Sequence, residues 1–124
     1  MKTLNQYLTE RLIVKKSSYK YYPETKEELQ DIIKQRIEQE GPEVNLNDID
    51  VSNITDMSKL FYKLNFNGDI SNWDVSNVTN MGGMFWGCYS FNQDISNWDV
   101  SKVKKSISMF AGCPIKAKYK PKFR

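Results

Sequence analysis

Apolar residues recur along this chain in three different rhythms. Over residues 3–14, Leu4, Tyr7, Leu8 and Leu12 fall at helical spacings with Asn5, Gln6, Glu10 and Arg11 between them, which predicts a short amphipathic helix. Lys15-Lys16-Ser17-Ser18 reads as a turn, and Tyr19-Lys20-Tyr21-Tyr22 has the aromatic content of a brief strand ended by Pro23. A second helical rhythm comes next, with Leu29, Ile32, Ile33 and Ile37 on one stripe. Thr25-Lys26-Glu27-Glu28 is a capping-box pattern at its start, and Gly41-Pro42 stops it.

From residue 44 the rhythm belongs to a repeat. The stretch FNGDISNWDVSNVTNMGGMFWGCYS, residues 66–90, is followed without a gap by FNQDISNWDVSKVKKSISMFAGCPI, and fifteen of the twenty-five positions match. A weaker copy lies upstream, where DVSNITDM from Asp50 matches DVSNVTNM from Asp74. Within each copy Ile70-x-x-Trp73-x-Val75, repeated as Ile95-x-x-Trp98-x-Val100 and Leu46-x-x-Ile49-x-Val51, has the spacing of a leucine-rich-repeat strand. Alternation then turns Trp73 and Val75 inward and Asn72 and Asp74 outward. Met81, Met84 and Phe85 switch to helical spacing before Gly87, so each copy is expected to be strand, turn, short helix, turn. The predicted fold is an α/β repeat: a short leucine-rich-repeat-like solenoid of three coils of about 25 residues behind a helical cap. Trp73 would lie on Trp98, Val75 on Val100 and Phe85 on Phe110.

These strings resemble the repeats of the BspA-like leucine-rich-repeat family, found in bacterial surface proteins, mycoplasmal lipoproteins and bacteriophage genomes. Asn-Trp-Asp-Val-Ser, Met-Phe and Gly-Cys all fall in register over residues 44–115, and the capped helix before them resembles the leader of short members. The resemblance implies binding of other proteins or cell surfaces, in a bacterial or phage setting. The expected organisation is a helical segment and cap over residues 1–43, the solenoid over 44–115 and a basic cap or tail over 116–124.

Charge divides the 124 residues unevenly. The net charge is +3, but residues 44–100 hold two Lys/Arg against seven Asp/Glu, and residues 101–124 hold eight against none. Such an asymmetry either steers a charged partner or simply keeps small proteins apart in solution. The start, MKTLNQYLTERLIV, interrupts any apolar signal core with polar residues, and no apolar run reaches the ~18 residues of a membrane span. A cytoplasmic location without membrane insertion is expected, in a host cell or a virion if the gene is viral. Cys88 and Cys113 share one repeat position; they are either reduced interior side chains or a bridge between neighbouring coils. No histidine is present, which removes the commonest general base and most zinc and copper sites. No phosphate-binding glycine loop occurs either, since Gly82-Gly83 falls inside the expected short helix. No enzymatic activity and no cofactor are expected.

The candidate binding residues are Asp48, Asp50, Asn72, Asp74, Asn97 and Asp99, which would line the outward strand face. Asp50, Asp74 and Asp99 would form a column of carboxylates about 5 Å apart, answered by a cation, by hydrogen bonds from Ser52, Ser76 and Ser101, or by a basic partner. The expected function is non-catalytic protein recognition. Its alternatives are an assembly role docked through residues 1–14, and, less favoured because the repeats are acidic, nucleic-acid binding through the basic tail, where Tyr119 and Phe123 interleave with lysines.

Overall fold

Thr25 opens α1, Lys26–Glu40, by accepting the Glu28 N–H on its hydroxyl at 3.1 Å, and Glu28 reaches back to the Glu24 N–H at 3.1 Å. Gly41, at φ 94°, ends the helix and returns its N–H to the Ile37 carbonyl. Leu29 and Ile33 are completely buried and Ile32 and Ile37 half-buried, so one helical face closes one end of the molecule. The computed structural model describes residues 19–123; the helix expected over residues 3–14 lies outside them.

Beyond α1 the expected α/β repeat of strand-plus-short-helix coils does not form. Among the described residues the only other helix is a single 3-10 turn, Ala117–Tyr119. Strand character is limited to isolated parallel bridges, Tyr21 with Ile49, Asp56 with Asn80 and Asn80 with Lys105, and no sheet forms among the described residues. The spacing Ile70-x-x-Trp73 belongs to a turn, in which the Trp73 N–H returns to the Ile70 carbonyl at 3.2 Å, and Trp98 does the same to Ile95. A turn brings residues i and i+3 to the same side, whereas a strand would part them. Val78 turns back to Val75 in the same way, so Ile70, Trp73, Val75 and Val78 are all buried without a strand between them.

Aspartate and serine build these turns. Asp69 Oδ1 accepts both the Ser71 N–H (2.9 Å) and its hydroxyl (2.7 Å). Asp74 with Ser76, Asp94 with Ser96 and Asp50 with Ser52 repeat the arrangement. Each Asp-x-Ser diverts the backbone from extended pairing into a local turn. The segment expected to be helical is interrupted by left-handed residues, Gly83 (φ 62°) and Gly87 (φ 73°), whose equivalents are Lys59 and Lys63 before them and Ser108 and Gly112 after them.

Three tiers of turns, residues 44–65, 66–90 and 91–115, lie side by side through regular backbone bonds. The N–H groups of Met57, Lys59, Phe61 and Lys63 donate to the carbonyls of Asn80, Gly82, Met84 and Trp86 at 2.8–3.0 Å. Those of Met81, Gly83, Phe85 and Gly87 donate to Lys105, Ile107, Met109 and Ala111 at 2.7–2.9 Å. The intervening N–H groups of Leu60, Tyr62, Met84 and Trp86 bond three residues back within their own tier, and those of Ser58 and Gly82 bond the side chains of Asp56 and Asn80, so every N–H of residues 57–63 and 81–87 is satisfied.

Aromatic side chains fill the interior. Phe61 stacks on Phe85 (5.2 Å) and Phe85 on Phe110 (5.6 Å), with Phe66 and Phe91 packed beside them. Trp73 lies parallel to Trp98 at 6.4 Å, and each indole N–H reaches a carbonyl of the preceding tier, Leu46 and Ile70. Gly68 is fixed by the chain entering the stack: a Cβ there would sit 1.8 Å from the Val44 carbonyl, whereas the next copy carries Gln93.

Candidate recognition site

The six residues expected on the outward face have distinct surroundings. Asp48 is half-buried against Arg36, whose Nη1 donates to both of its oxygens at 2.9 and 3.1 Å. Asp50, Asp74 and Asp99 each accept the N–H of the serine two residues on, at 3.0 to 3.1 Å. Among the described residues no three Asp, Glu, His or Cys side chains converge as a metal site requires. Asn72 is exposed and its N–H is held by Asn47 Oδ1 at 3.0 Å.

Two shallow hollows open on this side. One of about 540 Å³ is lined by Tyr19, Asn45, Asn47, Asp48 and Asn72, and one of about 370 Å³ by Asp69, Ser71, Gln93, Asp94, Ser96 and Asn97. Asp48 and Asn72 are therefore brought together, Asn97 lies in the second hollow, and Asp50, Asp74 and Asp99 line neither.

The turn hydrogen bonds make this face acid-sensitive. Those from Ser71, backbone first and hydroxyl second, hold the Asp69 carboxyl below its ordinary range, and those from Ser96 do the same for Asp94. At Asp56 burial opposes ionisation, but bonds from Ser58 and the charge of Lys26 prevail and the shift is again downward. A carboxyl whose pKa is lower folded than unfolded stabilises the fold at neutral pH and loses that contribution as pH falls through the folded value. The melting temperature is expected to be flat near neutrality and to drop below about pH 4. Asp69→Asn should melt lower than the wild type at pH 7, and the two curves should converge in acid. A gap independent of pH in thermal melts would refute this origin.

A third concavity, about 720 Å³, crosses the three tiers on the turn segments after this face. Gly82, Gly83, Lys59, Tyr62, Trp86 and Ile107 line it, together with Lys104 and Lys105. Tyr62 and Trp86 stack at 4.9 Å, Lys63 Nζ lies 5.4 Å from one ring centroid and 5.2 Å from the other, and Lys59 approaches Tyr62 at 5.5 Å. Ile107 is 81 % exposed. Sequence reasoning noted Gly82-Gly83 only as part of an expected short helix and singled out none of the other groove residues, although a signal existed. The positions that match between copies make turns and core, whereas Asn80, Gly82, Gly83 and Trp86 are replaced by Lys105, Ile107, Ser108 and Ala111, and these changes gather in the groove.

Neither cysteine offers a nucleophile. Both are free thiols; Cys88 donates to the Phe61 carbonyl, and burial, with Cys113 nearby, pushes its pKa up to about 12. Burial raises Cys113 as well. A thiol shifted this way stays protonated at neutral pH. No helix among the described residues is long and apolar enough to cross a membrane.

No curated protein and no solved structure matches the chain. A family model described as "Mycoplasma protein of unknown function, DUF285" matches residues 28–117, which run from the first turns of α1 through all three tiers, and the chain belongs to that family.

Proposed function

We propose that this protein is a non-catalytic protein-recognition module whose main contact face is the groove lined by Tyr62, Gly82, Gly83 and Trp86. The observation that carries the reading is the solvent-facing stack of Tyr62 on Trp86 with two lysines against it, beside the exposed Ile107. Large amphipathic rings next to fixed cations are the residue types that dominate binding energy at protein interfaces. A partner suited to this face presents apolar side chains to the rings and carboxylates to Lys59, Lys63, Lys104 and Lys105. The resemblance of the Asn-Trp-Asp-Val-Ser copies to BspA-like repeats supports the same class of function.

A second reading keeps the polar face of Asp48, Asp50, Asn72, Asp74, Asn97 and Asp99 as the contact surface. It is favoured by the hollows that hold Asp48 with Asn72 and, separately, Asn97. Against it, Asp48 has both carboxylate oxygens on Arg36, and Asp50, Asp74 and Asp99 each commit Oδ1 to the serine of their own turn.

Affinity capture from bacterial lysate separates the two. A protein retained by the wild type and by Asn97→Ala but lost from Trp86→Ala, with affinity down about thirtyfold, places binding in the groove. Retention by Trp86→Ala together with loss from Asn72→Ala and Asn97→Ala moves it to the polar face. No reproducible capture by the wild type rejects both.

A further inference from the structure

Four rows of inter-tier bonds share one polarity. From Met57, Lys59, Phe61 and Lys63 each runs from an N–H of one tier to a carbonyl of the next, and the peptide that offers that carbonyl offers its own N–H onward, whereas the bonds just before them, from Thr79 to Thr55 and from Lys104 and Lys105 to Thr79, run the other way. Four parallel rows of peptide groups result, and their dipoles of about 3.5 D each add along the stack as they do along a helix. One end of the rows is negative and the other positive.

The two ends are treated differently. At the carbonyl end α1 is in place, and Lys26 Nζ donates to the Ser58 carbonyl at 3.2 Å and to its hydroxyl at 3.0 Å. At the other end the rows finish on the N–H groups of Ser106, Ser108, Phe110 and Gly112, and none of these has an acceptor among the described residues. Ser108 and Gly112 are exposed and Ser106 and Phe110 half-exposed. The carboxy-terminal segment caps the third tier elsewhere: Ile95 donates to the Tyr119 carbonyl and Lys116 to Asn92 Oδ1. Lys104 and Lys105 lead into the open edge, and Lys120 Nζ lies 5.3 Å above the Phe110 ring.

We propose that this open amide edge docks an acidic polypeptide segment of a partner protein, whose alternate backbone carbonyls take the four N–H groups as a further tier would. The occupant's geometry is already present one tier away, where the equivalent four N–H groups of the second tier are satisfied by the alternate carbonyls of residues 105–111. Its charge is dictated by the positive end of the rows and the three lysines beside it, where an acidic side chain gains and a basic one loses. A row of donors two residues apart suits a polypeptide backbone better than a phosphate chain, and main-chain addition of this kind is a known recognition mode. This edge borders the Tyr62–Trp86 groove and shares Lys104 and Lys105 with it, but the inference rests on the open N–H groups and not on the aromatic stack.

The test is amide hydrogen exchange and chemical-shift mapping on the isotope-labelled full chain, titrated with a short peptide of alternating Glu and Val. Slowed exchange and downfield shifts at Ser106, Ser108, Phe110 and Gly112 are expected, with the second-tier amides of Gly83, Phe85 and Gly87 protected throughout. Lys104→Glu/Lys105→Glu should weaken the peptide roughly tenfold without changing the melting temperature, and Trp86→Ala should leave it unchanged. Shifts confined to lysine neighbours, with the four amides unaltered, would overturn the proposal, as would no binding at millimolar peptide. Stronger protection of the same amides by oligothymidylate of equal charge would reassign the edge to phosphate and also overturn it.

Discussion

Phe85→Ala is expected to lower the unfolding free energy by about 3–5 kcal/mol, the largest single loss available in the interior. Phe85 is fully buried and lies in the middle tier, with ring centroids 5.2 Å from Phe61, 4.3 Å from Phe91 and 5.6 Å from Phe110. Its removal forfeits the transfer free energy of the ring and opens a cavity walled by aromatic faces. Those walls cannot collapse inward cheaply, because the backbone on either side is held: Phe61 donates to Met84, and Phe85 itself to Met109, at 2.9 Å. The neighbouring Trp86→Ala removes a half-exposed ring from the groove and should cost less than about 1 kcal/mol, within the usual range for surface sites. Urea denaturation of the two variants, read by tryptophan fluorescence and by circular dichroism, makes the comparison. Equal losses would mean that the column of phenylalanines does not organise the stack.

The same column marks how far the sequence could be followed. The interior was legible because burial tracks the repeat directly: Trp73, Val75 and Phe85, picked out by recurrence, are all in the core. The helix was legible because its signals are local, in Thr25, Glu28 and Gly41. Strand and short helix were misassigned because hydrophobic spacing was weighed against regular periods alone. Ile70-x-x-Trp73 fits a turn as well as a strand once Asp69 and Ser71 are given their side-chain bonds, and the Asp-x-Ser string recurs in every copy. The paired glycines Gly83 and Gly87 signalled left-handed backbone, but their equivalents Lys59, Lys63 and Ser108 hid the pattern by adopting positive φ without being glycine. The groove was invisible to a search for matching positions, because it is built from the positions that do not match. The direction of the peptide rows has no trace in residue identity at all; it depends on which N–H groups face the next tier, and only coordinates supply that.

Asp48 is where expected function and observed architecture diverge most, and its substitution carries the second large effect. Arg36 is 7 % exposed, with Nη1 on both Asp48 oxygens, Nη2 on the Asn45 carbonyl at 3.3 Å and Nε on Glu40. The Tyr21 ring lies 5.2 Å from the guanidinium carbon, and the main chain beside it is tied to the same corner, since the Asp48 carbonyl accepts the Lys20 N–H at 2.7 Å. Burial alone would ease the proton off Arg36, but its bonds to Asp48 and Glu40 outweigh that and hold it charged above its ordinary value. Asp48→Ala therefore leaves a buried cation with half its partners, and a loss of about 3 kcal/mol is expected, the lower end of what breaking one side of a buried pair costs. Arg36→Met combined with Asp48→Leu should recover most of it, because the desolvation cost then disappears with both charges. Urea denaturation of the single and double variants completes the cycle, and a single-variant loss below about 1 kcal/mol would show that Glu40 alone holds the arginine. The outcome also decides what Asp48 contributes to recognition. An Asp48→Ala chain that has lost stability cannot be used to place a partner on the polar face, whereas one that keeps its stability and loses its partner would return Asp48 to the contact surface.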